Sequence, residues 1–431
     1  MLSAFVNAFR TPDLRRKLLF VLLIITIFRL GSQVPAPGVD VANVQTCLEL
    51  QKDSGLYSLI NLFSGGALLQ LTVFALGIMP YITASIILQL LVVVIPRLEA
   101  LKKEGQAGQG KITQYTRYLT LGLALLQATG IVALARSGDL LGNCPEPLLH
   151  SDSTSTFLVM VITMTAGTAV IMWLGELITE HGIGNGMSLL IFAQVVATFP
   201  ASLWKVQKGE GWWVFGVVMV IGLVIIAGVT FMEQAQRRIP VQYARRMVGR
   251  KMFGGSSTFI PLKVNQAGII PVIFASSLMY LPAMAGQFNQ NSDSRWVRLV
   301  NDYLVSPSSP VYMAVYFVLI IFFVYFYVSI TFDTHEVADN MKKYGGFIPG
   351  IRAGAPTEDY LSYVLSRITL PGALYLALIS LIPSIAFVLI NADQNFPFGG
   401  VSILIMVGVG LDTVKQIESQ LQQRNYEGFL K

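Results

Sequence analysis

Charged residues are scarce in this chain. They make up 13% of its 431 residues, about half of the ~25% that is usual in soluble domains, whereas hydrophobic residues account for 54%. The mean hydropathy is +0.62. A soluble protein of this length cannot bury so much apolar surface while it exposes so little charge to water, so the composition excludes soluble, disordered and fibrous proteins. We predict an integral membrane protein with many spans.

The residues that most often carry catalysis or bind metals are also few. The chain has three histidines and two cysteines, and no His, Cys, Asp or Glu cluster has the spacing of metal ligands. It has no G-x-x-x-x-G-K-[ST] motif, and the glycine-rich string at 182–186 lacks the lysine and follows no predicted strand. The sequence therefore predicts no catalytic residue, no metal site and no cofactor, and indicates a protein that is not an enzyme.

The apolar runs are continuous and lack the alternation of apolar and polar residues that a membrane-spanning barrel shows. Each run is about 20 residues long, the length of a membrane-spanning helix, and a helix satisfies its own backbone hydrogen bonds in lipid. We therefore predict an all-α, polytopic membrane protein with ten spans. They lie near residues 18–36, 72–96, 116–136, 156–177, 186–204, 214–232, 268–286, 311–331, 368–390 and 398–417.

Lysine and arginine are distributed unevenly between the two sides of this predicted bundle. Of the 30 residues, 23 fall in the termini and loops of one side, six fall on the other side, and Arg29 lies within the first span. Because these residues are enriched in cytoplasmic segments, both termini are predicted to be cytoplasmic. Ten spans also divide into two halves of five, which form an inverted pair because five is odd. We place the N-terminal half at 1–204, the connection at 205–213 and the C-terminal half at 214–431.

One uncharged stretch is too long for a single span. Residues 56–95 would form a helix of about 60 Å, twice the ~30 Å thickness of the hydrocarbon core. Within it, the segment 61–71 is too short to span and contains Ser64, Gly65 and Gly66. We interpret it as a re-entrant segment, which implies a cavity because irregular backbone is tolerated at membrane depth only inside protein or beside water. The alternative is an interfacial helix on the outer surface.

Two cytoplasmic loops, at about 233–267 and 332–367, are longer than most connections in proteins. They contain aromatic residues, glycine pairs and prolines, and so are predicted to be ordered. The positive-inside rule alone explains the sign of their charge but not their length. We interpret them as a docking surface, in which Arg245, Arg246, Arg250 and Lys251 suit phosphates or acidic protein patches.

The two cysteines and a few polar residues complete the candidates. Cys47 and Cys144 fall in loops on the predicted outer face, where a disulfide is chemically permitted, but two free thiols are an equal alternative because the sequence gives no Cα separation.

Within the spans, the hydroxyl of a serine can bond to its own helix, whereas a primary amide cannot satisfy itself there. The functional candidates are Gln89, Gln127, Ser276 and Ser277.

Several long motifs resemble the SecY family of protein translocase channels. They are FSGGALLQLTVFALGIMPYITASIILQLL from residue 63, GIGNGMSLLIFA from 182, VQYARRMVGRKMFGGSSTFIPLKVNQAGIIPVIFASS from 241 and GGFIPGIRAGAPTEDY from 345. The resemblance covers essentially the whole chain. It implies a passive, protein-conducting channel of the bacterial cytoplasmic membrane, with ten helices in two inverted halves. Such a channel moves unfolded secretory polypeptides across the membrane and releases membrane-protein helices sideways into lipid.

The resemblance also implies roles for particular residues. A ring of aliphatic side chains resists wetting and makes no specific hydrogen bonds, and the constriction of the pore falls on Ile82, Ile86, Ile191, Ile273 and Ile405. The re-entrant segment resembles the plug that closes the pore from the outer side, and comprises Asn61, Leu62, Phe63, Ser64, Gly65, Gly66, Ala67, Leu68, Leu69, Gln70 and Leu71. The lateral gate lies between spans two and three on one side and spans seven and eight on the other. We assign its polar seam to Gln89, Gln127, Ser276 and Ser277.

The partners implied by the resemblance are of several kinds. SecE and SecG are small membrane subunits, and the long basic loops look like docking sites for the SecA motor ATPase and for the RNA of the ribosome. Arg352 matches the position that the family uses for SecA-driven transport. Signal peptides, unfolded precursor proteins and membrane lipids are the other expected partners.

Two other classes of protein fit part of the pattern. A secondary transporter with a five-plus-five inverted repeat would need a charged or unwound site at mid-membrane, but only Arg29 lies inside a predicted span, with Glu176 and Asp412 nearer the ends. A structural membrane scaffold would need neither a cavity nor long docking loops.

Overall fold

The computed structural model describes residues 9–50, 66–68, 70–137, 147–151, 153–243, 246–248, 251–253, 257–288, 303, 309–390 and 400–428. This part of the chain is mostly helical, as predicted. Its helices, in chain order, are α1 (Pro12–Gly31), α2 (Val41–Leu50), α3 (Met79–Val94), α4 (Pro96–Lys103), α5 (Gln106–Ser137), α6 (Thr154–His181), α7 (Gly186–Gln234), α8 (Ile270–Phe288), α9 (Pro310–Thr331), α10 (Thr334–Lys343), α11 (Ala355–Ile390) and α12 (Gly400–Gly428).

Several of these helices can cross a membrane. Among the described residues, five are long and apolar enough, and they lie in α5, α6, the second part of α7, the region beginning at α9, and α11. A sixth is present if α3 and α4, which meet at an angle of 99°, form one broken span. Predicted spans five and seven contain shorter apolar helices, Gly186–Pro200 and Ile270–Met279. The described residues therefore confirm a helical protein with several spans, and the count of ten stays a prediction.

Helix α7 covers predicted spans five and six and is interrupted at Gly211. The backbone there has φ 85° and ψ 175°, a conformation that glycine adopts without the strain of a Cβ atom. Among the described residues, no heavy atom lies within 4 Å of the place that a Cβ would occupy, so the backbone angle, rather than crowding, requires glycine. The interruption falls within 205–213, and the division of the chain into two halves stays a prediction.

Helix α3 begins seven residues later than the predicted second span. Instead of continuing a helix, the chain forms turns up to residue 78, with Leu71 at a φ of 48°. These turns pair with the segment after α1: the Val73 amide donates to the Val34 carbonyl at 2.9 Å, and the Ala36 amide donates to the Leu71 carbonyl at 2.9 Å. The predicted start at residue 72 is therefore wrong, because the apolar residues there are buried in a turn rather than in a helix.

Gly167 of α6 packs directly against this turn. A Cβ at position 167 would overlap the carbonyl oxygen of Val73. We expect Gly167→Ala to push α6 and the turn apart and to lower the free energy of unfolding by about 1–3 kcal/mol. The matched control is Gly122→Ala in α5, where no atom of the described residues lies within 4 Å of the added methyl group. Thermal unfolding in detergent measures both variants, and equal unfolding temperatures would contradict this close packing.

The two long loops contain strands, so the all-α prediction is wrong for this part of the chain. Strand β1 (Gln236–Tyr243) pairs with β4 (Ser257–Lys263) from Gln236 to Gln242 and with β5 (Gly346–Phe347) at its end, in both cases antiparallel. A separate hairpin joins β2 (Arg246–Val248) to β3 (Lys251–Phe253). Ile239 and Val241 are buried while their neighbours in β1 are exposed, which is the alternation of a strand with one covered face.

A small apolar cluster joins the two long loops into one body. Its buried members come from β1 and β4 in the first loop and from α10, the β5 region and α11 in the second. They are Ile239, Val241, Leu262, Met341, Ile348, Leu361 and Val364. The described parts of both loops are thus ordered and packed on each other.

Two larger apolar clusters form the interior of the bundle. The first contains side chains of α1, α3, α6, α7, α8, α9, α11 and α12. The second contains side chains of α2, α5, α6 and the turn before α3, and it includes Cys47. Cys47 is fully buried and disulfide-bonded. Of the two alternatives that the sequence left open, a disulfide and a free thiol, the disulfide therefore holds for this residue. Cys144 lies outside the described residues.

Candidate functional site

Four helices carry the five isoleucines of the expected constriction. Ile86 of α3, Ile191 of α7, Ile273 of α8 and Ile405 of α12 are all buried, with exposed fractions of 9%, 6%, 5% and 0%, and Ile82 is half-buried. All except Ile273 belong to, or pack against, the first apolar cluster, although that cluster is much larger than a ring. The structure therefore describes these positions as covered by protein.

The helices of the expected lateral gate meet in the structure. Helix α3 packs on α5, α8 packs on α9, and α3 also contacts α8. The four polar residues of the seam differ in their surroundings: Gln89 is exposed, and Gln127 is half-buried. Ser276 donates to the carbonyl of Ile273 in its own helix at 2.9 Å, whereas the Ser277 Oγ is covered and has no hydrogen-bond partner among the described residues. These helices lie in contact, and Ser276 is satisfied by its own backbone; the lateral gate stays a prediction.

Only the end of the expected plug can be located. Residues 61–65 and Leu69 lie outside the described residues. Gly66 has a φ of 92°, Gln70 is exposed, and Ala67, Leu68 and Leu71 are buried at 1%, 4% and 0% exposure. Leu68 and Leu71 belong to the second apolar cluster, so the end of this segment is anchored against α5 and α6.

Only some of the basic residues of the expected docking surface lie among the described residues. Arg245 and Arg250 lie outside the described residues, and Arg246 and Lys251 are placed by their backbone in the hairpin β2–β3. Arg352 is exposed in the loop before α11, and its carbonyl accepts a hydrogen bond from the Thr357 hydroxyl at 2.8 Å. This bond holds the loop against the first turn of α11 and leaves the Arg352 guanidinium at the surface.

A histidine connects the helices on either side of that loop. The Nδ1 of His335 in α10 lies 2.9 Å from the Glu358 Oε2 of α11, and its Nε2 lies 3.7 Å from the Asp339 Oδ2. The hydrogen bond with Glu358, followed by the charges of Glu358, Asp339 and Asp333, raises the pKa of His335 above its ordinary value. These groups follow the apolar helix α9, which ends at Thr331, so they belong to the second long loop.

This contact predicts a pH dependence. Because the pKa of His335 is raised in the folded state, its charge stabilises the contact of α10 with α11 below about pH 6.5, and the contribution is lost as the pH rises through the folded pKa. We expect hydrogen-exchange protection of residues 334–343 to fall over that range. Glu358→Gln should bring the pKa of His335 back toward its ordinary value and flatten this dependence. Protection that is independent of pH in the unmodified chain would contradict the contact.

No metal centre is found in the part of the chain that the structure describes. Within it, no group of three or more His, Cys, Asp and Glu side chains could hold a metal ion.

The family is decided by comparison with known proteins. The family model of SecY matches residues 72–414, most of the chain. The chain belongs to the SecY family. The protein translocase subunit SecY of Streptomyces scabiei is 66% identical over 438 residues, and that of Mycobacterium tuberculosis strain H37Rv is 61% identical over 443, each covering 100% of both chains. The resemblance that the sequence motifs indicated is confirmed.

Solved structures have the same fold as this SecY-family chain. The structure of a protein conducting channel has a TM-score of 0.63 at 19% identity, covering 93% of this chain and 91% of its own. A SecY structure concerned with the plug domain that stabilises the closed channel has a TM-score of 0.62 at 18% identity, with the same coverage. Sec61 in the canine ribosome–channel complex has a TM-score of 0.60 at 19% identity, covering 94% and 91%. At these identities the likeness shows the fold alone.

Sequence reasoning missed several polar residues of this SecY-family chain. On β1, within the first long loop, Arg237 and Arg238 are exposed, and the Arg238 guanidinium lies 4.9 Å from the ring centre of Phe259. In the bundle, Gln194 of α7 is 1% exposed. The positive-inside pattern explains the arginines without giving them a specific role, whereas Gln194, a lone amide in an apolar span, is a signal that the sequence does carry.

Proposed function

We propose that this chain is the channel subunit of a protein translocase in the cell membrane. Unfolded secretory polypeptides pass through it, and helices of membrane proteins leave it sideways into lipid. The observation that carries this function is the identity of 61–66% over the full length with protein translocase subunits SecY. The pore is passive, since a partner ATPase or the ribosome supplies the work.

The proposed topology has ten spans in two inverted halves, 1–204 and 214–431, joined at 205–213. Both termini lie in the cytoplasm of a bacterial cell. The distribution of Lys and Arg supports this orientation, and the interruption of α7 at Gly211 supports a connection between the halves at that point.

The proposed constriction is the ring of Ile82, Ile86, Ile191, Ile273 and Ile405. Its support is that four of these side chains are buried and that all five come from separate turns of four helices. Packed aliphatic groups offer water and ions no hydrogen-bond partner, so a closed ring seals the pore. The segment 61–71 would act as the plug on the outer side, held at its end by Leu68 and Leu71.

The proposed lateral gate lies between α3 with α5 and α8 with α9. Its support is the contact of α3 with α8, which in our proposal closes the path from the bundle interior to lipid. A signal peptide carries an apolar stretch of about 7–15 residues, and separation of α3 from α8 would let that stretch reach lipid. Gln89, Gln127, Ser276 and Ser277 line this seam in our assignment.

The proposed docking surface is the body formed by the two long loops. It would receive SecA, or the RNA phosphates of the ribosome, through Arg245, Arg246, Arg250, Lys251 and Arg352. Its support is that the loops form one packed unit with exposed cations. SecE would clamp the two halves of the bundle from outside, and SecG would join as the second small subunit.

Reconstitution tests the function. The chain is purified with its small partners and placed in liposomes, and a precursor with a signal peptide is added with SecA and ATP. We expect the precursor to become protected from external protease. Cysteines placed singly at the five ring positions should cross-link to a stalled precursor, whereas a cysteine at Met160, fully buried in α6 within the second apolar cluster, should not. Failure of all five positions to cross-link would place the path elsewhere.

A secondary transporter is not favoured. A five-plus-five bundle is common to both classes, but the full-length similarity is to protein translocase subunits, and the predicted spans hold no pair of ionisable residues at mid-membrane.

A further inference from the structure

One amide is buried in the bundle interior among apolar side chains. Gln194 of α7 is 1% exposed, and neither its Nε2 nor its Oε1 has a hydrogen-bond partner among the described residues. It lies on the buried stripe of α7 with Met187, Leu190, Ile191 and Val195, all of which are apolar. A buried amide that makes no hydrogen bond destabilises the state in which it is buried, so this glutamine is unfavourable for packing alone.

Similar polar groups occur at the same distance from the expected constriction on two other helices. Gln194 lies three residues after Ile191, and Ser277 lies four residues after Ile273. Ser402, which is 3% exposed, lies three residues before Ile405 in α12. At about 1.5 Å per residue, each lies about 4.5–6 Å from its isoleucine along the helix.

The predicted topology places all three groups on one side of the ring. Consecutive spans alternate in direction, so spans five and seven run parallel and span ten runs against them. Later residues on α7 and α8 and earlier residues on α12 therefore lie toward the same face, which is the outer one. Helix α7 also packs on α12. The polar groups are thus a layer next to the apolar ring rather than scattered substitutions.

We propose that Gln194, Ser277 and Ser402 form a polar layer on the outer side of the constriction, which binds the backbone of the polypeptide in transit. This inference rests on the proposed channel function. Every residue of an extended chain carries a backbone N–H and, in its carbonyl, an acceptor, with proline lacking only the donor, and amides and hydroxyls can both donate and accept. The layer can therefore bind a polypeptide of any sequence. It does so next to the ring, where the polypeptide backbone has lost its hydrogen bonds to water.

The same layer sets how readily the channel opens. The Gln194 amide and the Ser277 Oγ have no hydrogen-bond partner among the described residues, which in our proposal destabilises the closed state. When the pore opens, water or a polypeptide backbone satisfies them, so their presence shifts the balance toward opening. An apolar side chain of similar size at position 194 would stabilise the closed state instead.

The test compares variants reconstituted in liposomes. We expect Gln194→Met to lower both the ion conductance of the empty channel and the translocated fraction of a precursor with a weakened signal peptide, each by about fivefold or more. Ser277→Ala, on another helix, should act in the same direction. Gln194→Asn, which keeps the amide, should retain most of both activities.

The matched control is Ser380→Ala in α11. Ser380 is also buried, but its hydroxyl donates to the Leu376 carbonyl of its own helix at 2.7 Å, so we expect neither readout to change. Unchanged or increased conductance and translocation in Gln194→Met would overturn the polar layer while the channel function stands. If the unmodified chain moves no precursor at all, the proposed function and the layer fail together.

Discussion

Replacing Arg352 of the proposed docking surface by glutamate should strongly slow translocation that is driven by SecA, while the chain still inserts in the membrane and assembles with its small partners. Arg352 is exposed in a loop whose backbone is held by Thr357, so the substitution changes the surface charge and leaves the packing intact. Loss of one charge of an interfacial ion pair costs about 2–5 kcal/mol. Reversal of the charge should therefore slow translocation by about thirtyfold or more.

Two further variants separate the causes of such a loss. Arg352→Lys keeps the charge but not the planar group with five donors, so intermediate transport would show that bidentate pairing matters. Lys342→Glu makes the same change of charge on α10, where the side chain is also exposed, and should leave transport near normal. The measurement is the rate at which a precursor becomes protease-protected in liposomes. Normal transport by Arg352→Glu would remove Arg352 from the docking surface.

The main class of the fold could be predicted from the sequence, but the local backbone could not. Long apolar runs and the shortage of charge are enough to predict a helical membrane protein. The turn before α3 could not be told from the start of a span. Residues 72–78 are apolar, and apolar side chains suit burial in a turn as well as a place in a membrane-spanning helix. The pairing of Val73 with Val34 joins segments far apart in sequence, which a reading of one segment at a time does not reveal.

The sheet of the basic loops was missed for a related reason. In β1, only Ile239 and Val241 are buried, and the arginines before them carry the signal of a cytoplasmic loop. Because the charge pattern indicated a loop, the short alternation of apolar and polar residues did not lead to the prediction of a strand. The covering of this face by α10 and α11 depends on the second loop, which begins almost 100 residues later in the chain.

For the candidate site, the residue types were more predictable than their surroundings. Motifs assigned the five isoleucines, and the structure places four of them in the buried interior. The sequence could not show that Ser276 bonds to its own helix while Ser277, the next residue, has no partner among the described residues. The role of a hydroxyl in a span, structural or functional, therefore depends on the direction in which its side chain lies. Along a helix, that direction changes by about 100° from one residue to the next.

Ile405→Asn should make the empty channel leak. The side chain is fully buried, and asparagine both removes apolar contacts and buries an amide where the proposed ring must stay apolar. Large-to-small changes in a core cost about 2–5 kcal/mol, here at the expense of the closed state. A shift of about 2 kcal/mol multiplies the open fraction about thirtyfold. We expect a matching rise in ion conductance through liposomes, and better export of precursors with weak signal peptides.

The control for this prediction is Ile403→Asn on the same helix. Ile403 is also fully buried, but two residues along a helix correspond to a rotation of about 200°, so its side chain lies on the opposite face of α12 from Ile405. We expect it to lower the unfolding temperature in detergent by a similar amount without a leak, because only one of the two faces lines the proposed pore. Equal conductance of the two variants would show that the leak reflects general loss of packing and that Ile405 is not part of a constriction.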